Sequence, residues 1–307
     1  MTTMNLPQAR LDDFDDVSDP DVDAEMDHAP EQATEQVAGQ VADQVTGPKK
    51  DKVTSVTKAL ILLDAFRRVG PVAGVSDLAR ATGLPKSTAF RLLNQLAAAG
   101  FLNRQGTDYH LAQHVFELGN CVPACSPGDL RSIAAPFLSD LFASTRTVVH
   151  LAVLDGTDVL YLDKIQGSTR VNVPTVVGGR LPASCSALGK AMLPFGHKDV
   201  IERILAEGLK RRTRRSVAAP GLFLSELQQV RQHGVAFDRE EAAPGLTCVA
   251  APIIWKGHAI AAISTSGPTG RFDPAAVASR LKKAANEISA LYAAHMRDLE
   301  LAREADA

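Results

Sequence analysis

From Val53 onward the apolar positions fall into short periodic stretches punctuated by glycine and proline, and each period predicts an element. Val56, Ala59, Leu60, Leu63 and Phe66 recur at i, i+3, i+4, i+7 and i+10, the spacing of one helix face, and this helix should end before Gly70. A loop from Gly70 to Gly74 leads to Ser76 as an N-cap and a second helix from Asp77 to Thr82. Gly83 stands where a left-handed turn closes a helix. Pro85 falls in the first turn of a third helix, where its missing N–H costs nothing. Ala89, Leu92, Leu93 and Leu96 form the buried stripe of that helix; Lys86, Ser87, Phe90, Arg91 and Asn94 lie on its other side, and Gly100 closes it. Phe101–Arg104 and Tyr109–Leu111 then read as a β-hairpin with its tip at Gln105–Asp108.

Residues 113–133 read as a connector, with a helix started by Val115, Phe116 and Leu118 and interrupted by Gly119 and Pro123. A helix from Leu130 to Ser144 follows. Strand patterns at 148–154 and 159–162 flank Asp155-Gly156, a strong hairpin turn, and a second strand pair at 247–254 and 259–266 flanks Lys256-Gly257. Helices are expected at about 186–195, 198–208 and 222–233, and a long one from Pro274 to Met296. The expected class is two-domain α+β. An N-terminal winged helix-turn-helix at 51–115 and a linker at 116–133 precede a C-terminal α/β domain at 134–303, with a mostly antiparallel sheet and helices on one side.

Charge sharpens this picture. Residues 1–48 hold 12 Asp/Glu and one Arg, a net of −11, and lack any apolar period, so residues 1–50 are expected to be a disordered acidic tail. Residues 49–115 hold ten basic and four acidic residues, a net of +6, the footprint of a nucleic-acid binder as well as of an ordinary solvated surface. The outer face of the third helix offers donors instead of an apolar patch, which favours double-stranded DNA over a protein as its partner. Lys86, Ser87, Thr88 and Arg91 would face the groove, and Arg104 would meet phosphate from the wing. No run approaches the roughly 18 apolar residues of a membrane span, and no basic and apolar leader opens the chain. Four cysteines in 307 residues make no disulfide framework, and a cytoplasmic location is expected.

Specific motifs carry a family resemblance. Val56 to Leu63, Leu78 to Thr88, Arg91-Leu92-Leu93 and the wing ending Tyr109-His110-Leu111 resemble the DNA-binding domain of the IclR family of bacterial regulators. His150 to Gly156, Ser186 to Ala191, Gly245 to Ile253 and Ser264 to Pro268 resemble that family's effector-binding domain, in the same order and spacing over about 53–300. The resemblance implies a homodimer or homotetramer that reads a pseudo-palindromic operator and whose affinity for it is modulated by a small organic acid. It frames the effector pocket with Ser186, Ala187, Leu188, Gly189, Asp238, Cys248, Ser264 and Ser266. The acidic tail lies outside the family's core.

The chemistry of those residues suits an anion. Ala187, Leu188 and Gly189 open a helix, and their free N–H groups can hold a carboxylate without a side-chain cation. Ser264 and Ser266 lie at i and i+2 of a strand, so both hydroxyls share a face. Cys248 is a small, weakly donating wall, and Asp238 either accepts from a ligand hydroxyl or holds a backbone turn. Rival functions are a winged-helix module acting through a protein partner and an enzyme of the C-terminal domain. In the second case Cys185 or Cys248 would be a nucleophile paired with His150, yet no catalytic motif is present. Cys121 and Cys125 could sit on one helix face as metal ligands, but nothing completes a zinc set, so no metal or cofactor is implied. Lys210–Arg215 reads as a solvated loop or a second DNA patch.

Overall fold

A computed structural model describes residues 53–122, 129–167 and 175–305. The acidic tail and the paired Cys121/Cys125 reading therefore lie, wholly or in part, outside the described residues. Two compact units part between Ala112 and Gln113.

In the first unit, α1 (Ser55–Val69) starts at Thr54, whose hydroxyl accepts from the Thr57 N–H. β1 (Val72–Gly74), α2 (Val75–Thr82), α3 (Lys86–Ala98), β2 (Leu102–Gln105) and β3 (Asp108–Leu111) follow. Gly83 adopts φ +68 and closes α2 as expected. Four sequence expectations shift. The Gly70–Gly74 loop is in part a strand, β1, which joins the wing as a third member in the order β1-β3-β2. Gly74, not Ser76, is the N-cap of α2, and Pro85 is the N-cap of α3 rather than a member of its first turn. The hairpin tip is also tighter than four residues, because Gln105 pairs with Asp108 across Gly106-Thr107 and Gly106 supplies φ +63.

The buried face of α1 is also corrected. Leu62, Ala65 and Phe66 face the core, while Val56 and Leu60 are 69% and 59% exposed. Residues 59–66 are almost entirely apolar, so the hydrophobic arc is wider than the core contact and its periodicity leaves the facing edge open. The core beneath comprises Leu78, Leu92, Leu93, Leu102 and Tyr109.

The second unit holds α4 (Gln113–Asn120), α5 (Leu130–Thr145), β4 (Val148–Asp155), β5 (Asp158–Ile165), β6 (Arg180–Pro182), α6 (Ala187–Met192), α7 (Lys198–Glu207), α8 (Pro220–His233), β7 (Ala236–Arg239), β8 (Leu246–Trp255), β9 (His258–Pro268) and α9 (Pro274–Ala305). Its six strands run in the order β6-β5-β4-β9-β8-β7, with every pair antiparallel. Helices cover both faces, correcting the one-sided arrangement. Val149, Leu151, Val249, Ala251 and Ile263 pack with α5 and α9, and Ala152, Tyr161, Cys248, Ala250 and Ala262 pack with α6, α7 and α8. The strand alternation thus sends Cys248, Ser264 and Ser266 to the α6 side.

Candidate nucleic-acid interface and ligand cavity

In the first unit Lys86, Ser87 and Arg91 are exposed along one side of α3, and Thr88 is half-buried beside them. Phe90, 43% exposed, stands among them. Arg104 reaches back from β2: its guanidinium lies 5.7 Å from the Phe90 ring centroid and 5.8 Å from that of Tyr109, and Nε donates to the Gly106 carbonyl at 2.9 Å. The Tyr109 hydroxyl donates to Asn94 Oδ1 at 2.8 Å. These contacts brace the wing against α3, so helix and hairpin present their cations as one surface. The sequence puts Arg104 at the wing; only the structure shows its guanidinium held between two aromatics.

In the second unit seven of the eight expected effector residues line one cavity: Ser186, Ala187, Leu188, Asp238, Cys248, Ser264 and Ser266. It has room for little more than one water molecule, so any organic ligand must displace side chains to enter. Gly189 is corrected out of this set. Its N–H donates to the Ser186 hydroxyl at 3.0 Å, and its α-carbon packs on the Ala183 backbone. The first two N–H groups of α6, those of Ala187 and Leu188, remain without an intrahelical acceptor.

Residues outside the expected effector set complete the wall, notably His150, Tyr161 and Thr175. A β-bulge at Leu162 resets the pairing so that Ala152 opposes Tyr161 while His150 opposes Lys164. Both β5 residues therefore share the cavity's side of the sheet. His150 bridges two hydroxyls, with Nε2 2.8 Å from Thr175 Oγ1 and Nδ1 3.4 Å from Ser264 Oγ. Burial, helped by the nearby Lys164 charge, pushes its pKa down to about 3, so the ring is neutral and can donate or accept.

Asp238 Oδ1 accepts from the backbone N–H groups of Glu241 at 2.6 Å and Ala242 at 3.4 Å, so it does hold a turn. Burial nonetheless pushes its carboxyl up to about 7, against the lowering effect of the Glu241 N–H bond. It therefore titrates near neutral pH while facing the cavity. Lys190 is not available to a ligand, because its ammonium lies 2.6 Å from Glu241 Oε1 and 2.8 Å from Glu226 Oε2. The Cys–His dyad is not formed: the ring nitrogens of His150 meet Thr175 and Ser264, and burial pushes the thiols of Cys185 and Cys248 up to about 12. Such thiols are poor nucleophiles at neutral pH. Among the described residues no group of three or more metal-ligating side chains forms, and no helix is long and apolar enough to cross a membrane.

Comparison with known proteins agrees with both halves. Residues 55–106 match the family model described as the IclR helix-turn-helix domain, and residues 123–290 match that of the bacterial transcriptional regulator IclR C-terminal. The chain is 32% identical over 256 residues to the transcriptional repressor IclR of Escherichia coli K12, covering 80% of this chain and 93% of that one. It is 32% identical over 253 residues to the regulator KdgR of the same organism, covering 80% and 95%. Among solved structures, an IclR homolog from Microbacterium hydrocarbonoxydans, complexed with 4-hydroxybenzoate, superposes with a TM-score of 0.72 at 26% identity, covering 78% of this chain and all of that one. The Thermotoga maritima IclR superposes with a TM-score of 0.65 at 28% identity, covering 78% and 98%.

Proposed function

The chain belongs to the IclR family of bacterial transcriptional regulators, and we propose that a small organic acid held in the α6–β9 cavity modulates its grip on a pseudo-palindromic operator. Two copies would present two α3 helices to successive half-sites. The observation that carries this reading is the gathering of Ser186, Ala187, Leu188, Asp238, Cys248, Ser264 and Ser266 around one cavity. The ligand's carboxylate would accept from the Ala187 and Leu188 N–H groups and the Ser264 and Ser266 hydroxyls. Leu181 and Leu246 would cover its apolar body. The 4-hydroxybenzoate named with the Microbacterium structure is an acid of this class.

Calorimetry with a panel of small hydroxy-, keto- and aromatic acids tests the site. Losing one hydrogen bond to a charged group costs about 1.5–3 kcal/mol, so Ser264→Ala should weaken the responding acid roughly tenfold or more. Equal affinities for both proteins would move the pocket elsewhere.

The pH dependence follows from Asp238. An anion docks against its neutral form, which is the minor species at pH 8 and the major one at pH 6 for a pKa of about 7. Apparent affinity should rise about tenfold from pH 8 to pH 6 for an acid that stays ionised throughout. Asp238→Asn keeps an acceptor for the Glu241 N–H and should abolish that slope. Wild-type affinity independent of pH would show that the ligand does not meet Asp238.

On the DNA side, Arg91→Ala should lower specific affinity by about 1–3 kcal/mol if the side chain reads a base edge. A gel-shift titration that leaves operator binding unchanged would remove Arg91 from the interface.

A further inference from the structure

Between α7 and α8 the chain runs Lys210-Arg211-Arg212-Thr213-Arg214-Arg215, and the backbone of this run is pinned. The buried Ser216 hydroxyl accepts the N–H groups of Arg212 and Thr213 at 3.0 Å each and donates to the Glu241 carbonyl at 2.8 Å. Thr213 Oγ1 donates to the Glu240 carbonyl at 2.7 Å, and Arg212 Nε donates to the Ala242 carbonyl at 3.1 Å. The loop is thereby fastened to the Glu240–Ala242 segment.

The Arg211–Arg215 run borders an open surface groove whose remaining walls are Glu240 and Pro244. Four arginines and a single carboxylate line it. Arg215 approaches Glu240 only to 3.9 Å, Arg211 reaches the Arg214 carbonyl at 3.4 Å, and Arg214 makes no ion pair among the described residues. A solvated arginine run would spread its charges apart in water. Here the pinned backbone holds them around one concavity, where the repulsion is relieved by a bound anion and the guanidinium forks match phosphate or carboxylate oxygens two at a time.

The groove and the effector cavity border the same segment, residues 240–244. Pro244 lines the groove, whereas Ala242 and Ala243 line the cavity. The ends of this segment carry positive φ, +67 at Glu240 and +71 at Gly245. We propose that the Arg211–Arg215 groove binds a compact polyanion, a small molecule with about three negative charges on phosphate or carboxylate groups, and that its occupancy stiffens residues 240–244 of the cavity wall.

Calorimetry on the full chain with tripolyphosphate and with citrate, against sodium chloride at matched ionic strength, tests this, and the two arms tell phosphate from carboxylate chemistry. The wild type should bind at least one of them. Arg211→Gln/Arg214→Gln, at two exposed positions, should weaken that binding roughly tenfold or more with an unchanged melting temperature. Amide exchange at 240–244 should slow with the same dose dependence. Ser264→Ala should leave polyanion binding unchanged, so failure of the organic-acid reading does not touch this one. No binding beyond the chloride control, equal binding by the double variant, or unaltered exchange at saturation would overturn the proposal. So would loss of operator affinity in the double variant without polyanion binding, which would make the groove a duplex contact.

Discussion

Lys190→Met should destabilise the C-terminal unit by about 3–5 kcal/mol, the usual cost of removing one partner from a buried ion pair. Lys190 is only 2% exposed, and its ammonium ties α6 to Glu226 on α8 and to Glu241 beyond β7. Without it Glu241 remains buried, and its second oxygen, Oε2, already has no partner. Burial raises the Glu241 carboxyl, and the Lys190 charge and hydrogen bond hold it down. In the variant that restraint is gone, so the folded-state pKa rises further above the unfolded one. Folding then takes up a proton, and the stability lost should grow as pH rises from about 5 to 8. Urea unfolding at both pH values measures this, and adding Glu241→Gln should restore much of the loss. A cost under about 1 kcal/mol at both pH values would mean that the ammonium does not compensate Glu241.

Gly189→Ala should be comparably damaging for a steric reason. A Cβ at Gly189 would lie 2.6 Å from the Ala183 carbonyl carbon and nearer still to its oxygen and Cα. These are backbone atoms of the turn at Ala183–Cys185, and no side chain can swing away to make room. Overpacking of this kind costs about 3 kcal/mol or more, a fall in melting temperature of about 6–12 °C for a unit of this size. Gly221→Ala is the control, since α8 has open space at that position and alanine is the better helix former. If both variants melt with the wild type, α6 does not pack on Ala183 as described.

Much of the fold was legible because local chemistry and tertiary packing agree. Gly83 and Gly106 stand at positive φ where turns need them, and Lys256-Gly257, both at positive φ, makes the β8–β9 hairpin. Ser264 and Ser266 share a cavity wall because strand alternation leaves no choice. The two-sided covering of the sheet has its own signal in β8, Leu246–Trp255, which is apolar almost throughout, as a strand buried on both faces must be. The short strands β1, β6 and β7 have three, three and four residues, too few for a period. His150 and Tyr161 lie in the strand patterns at 148–154 and 159–162, and only the bulge at Leu162 shows which way Tyr161 faces. The capture of Lys190 by Glu226 and Glu241 spans 36 and 51 residues, beyond any local pattern.

The central claim joins the cavity to the operator, and fluorescence anisotropy of the full chain on a genome-selected DNA fragment tests it most directly. The acid identified by calorimetry should shift wild-type DNA affinity by about 5–150-fold, the range of a coupling of 1–3 kcal/mol. Ser264→Ala should bind DNA like the wild type without acid and need roughly tenfold more acid for the same shift. An acid that shifts both proteins at the same concentration, or neither at saturation, would contradict the account.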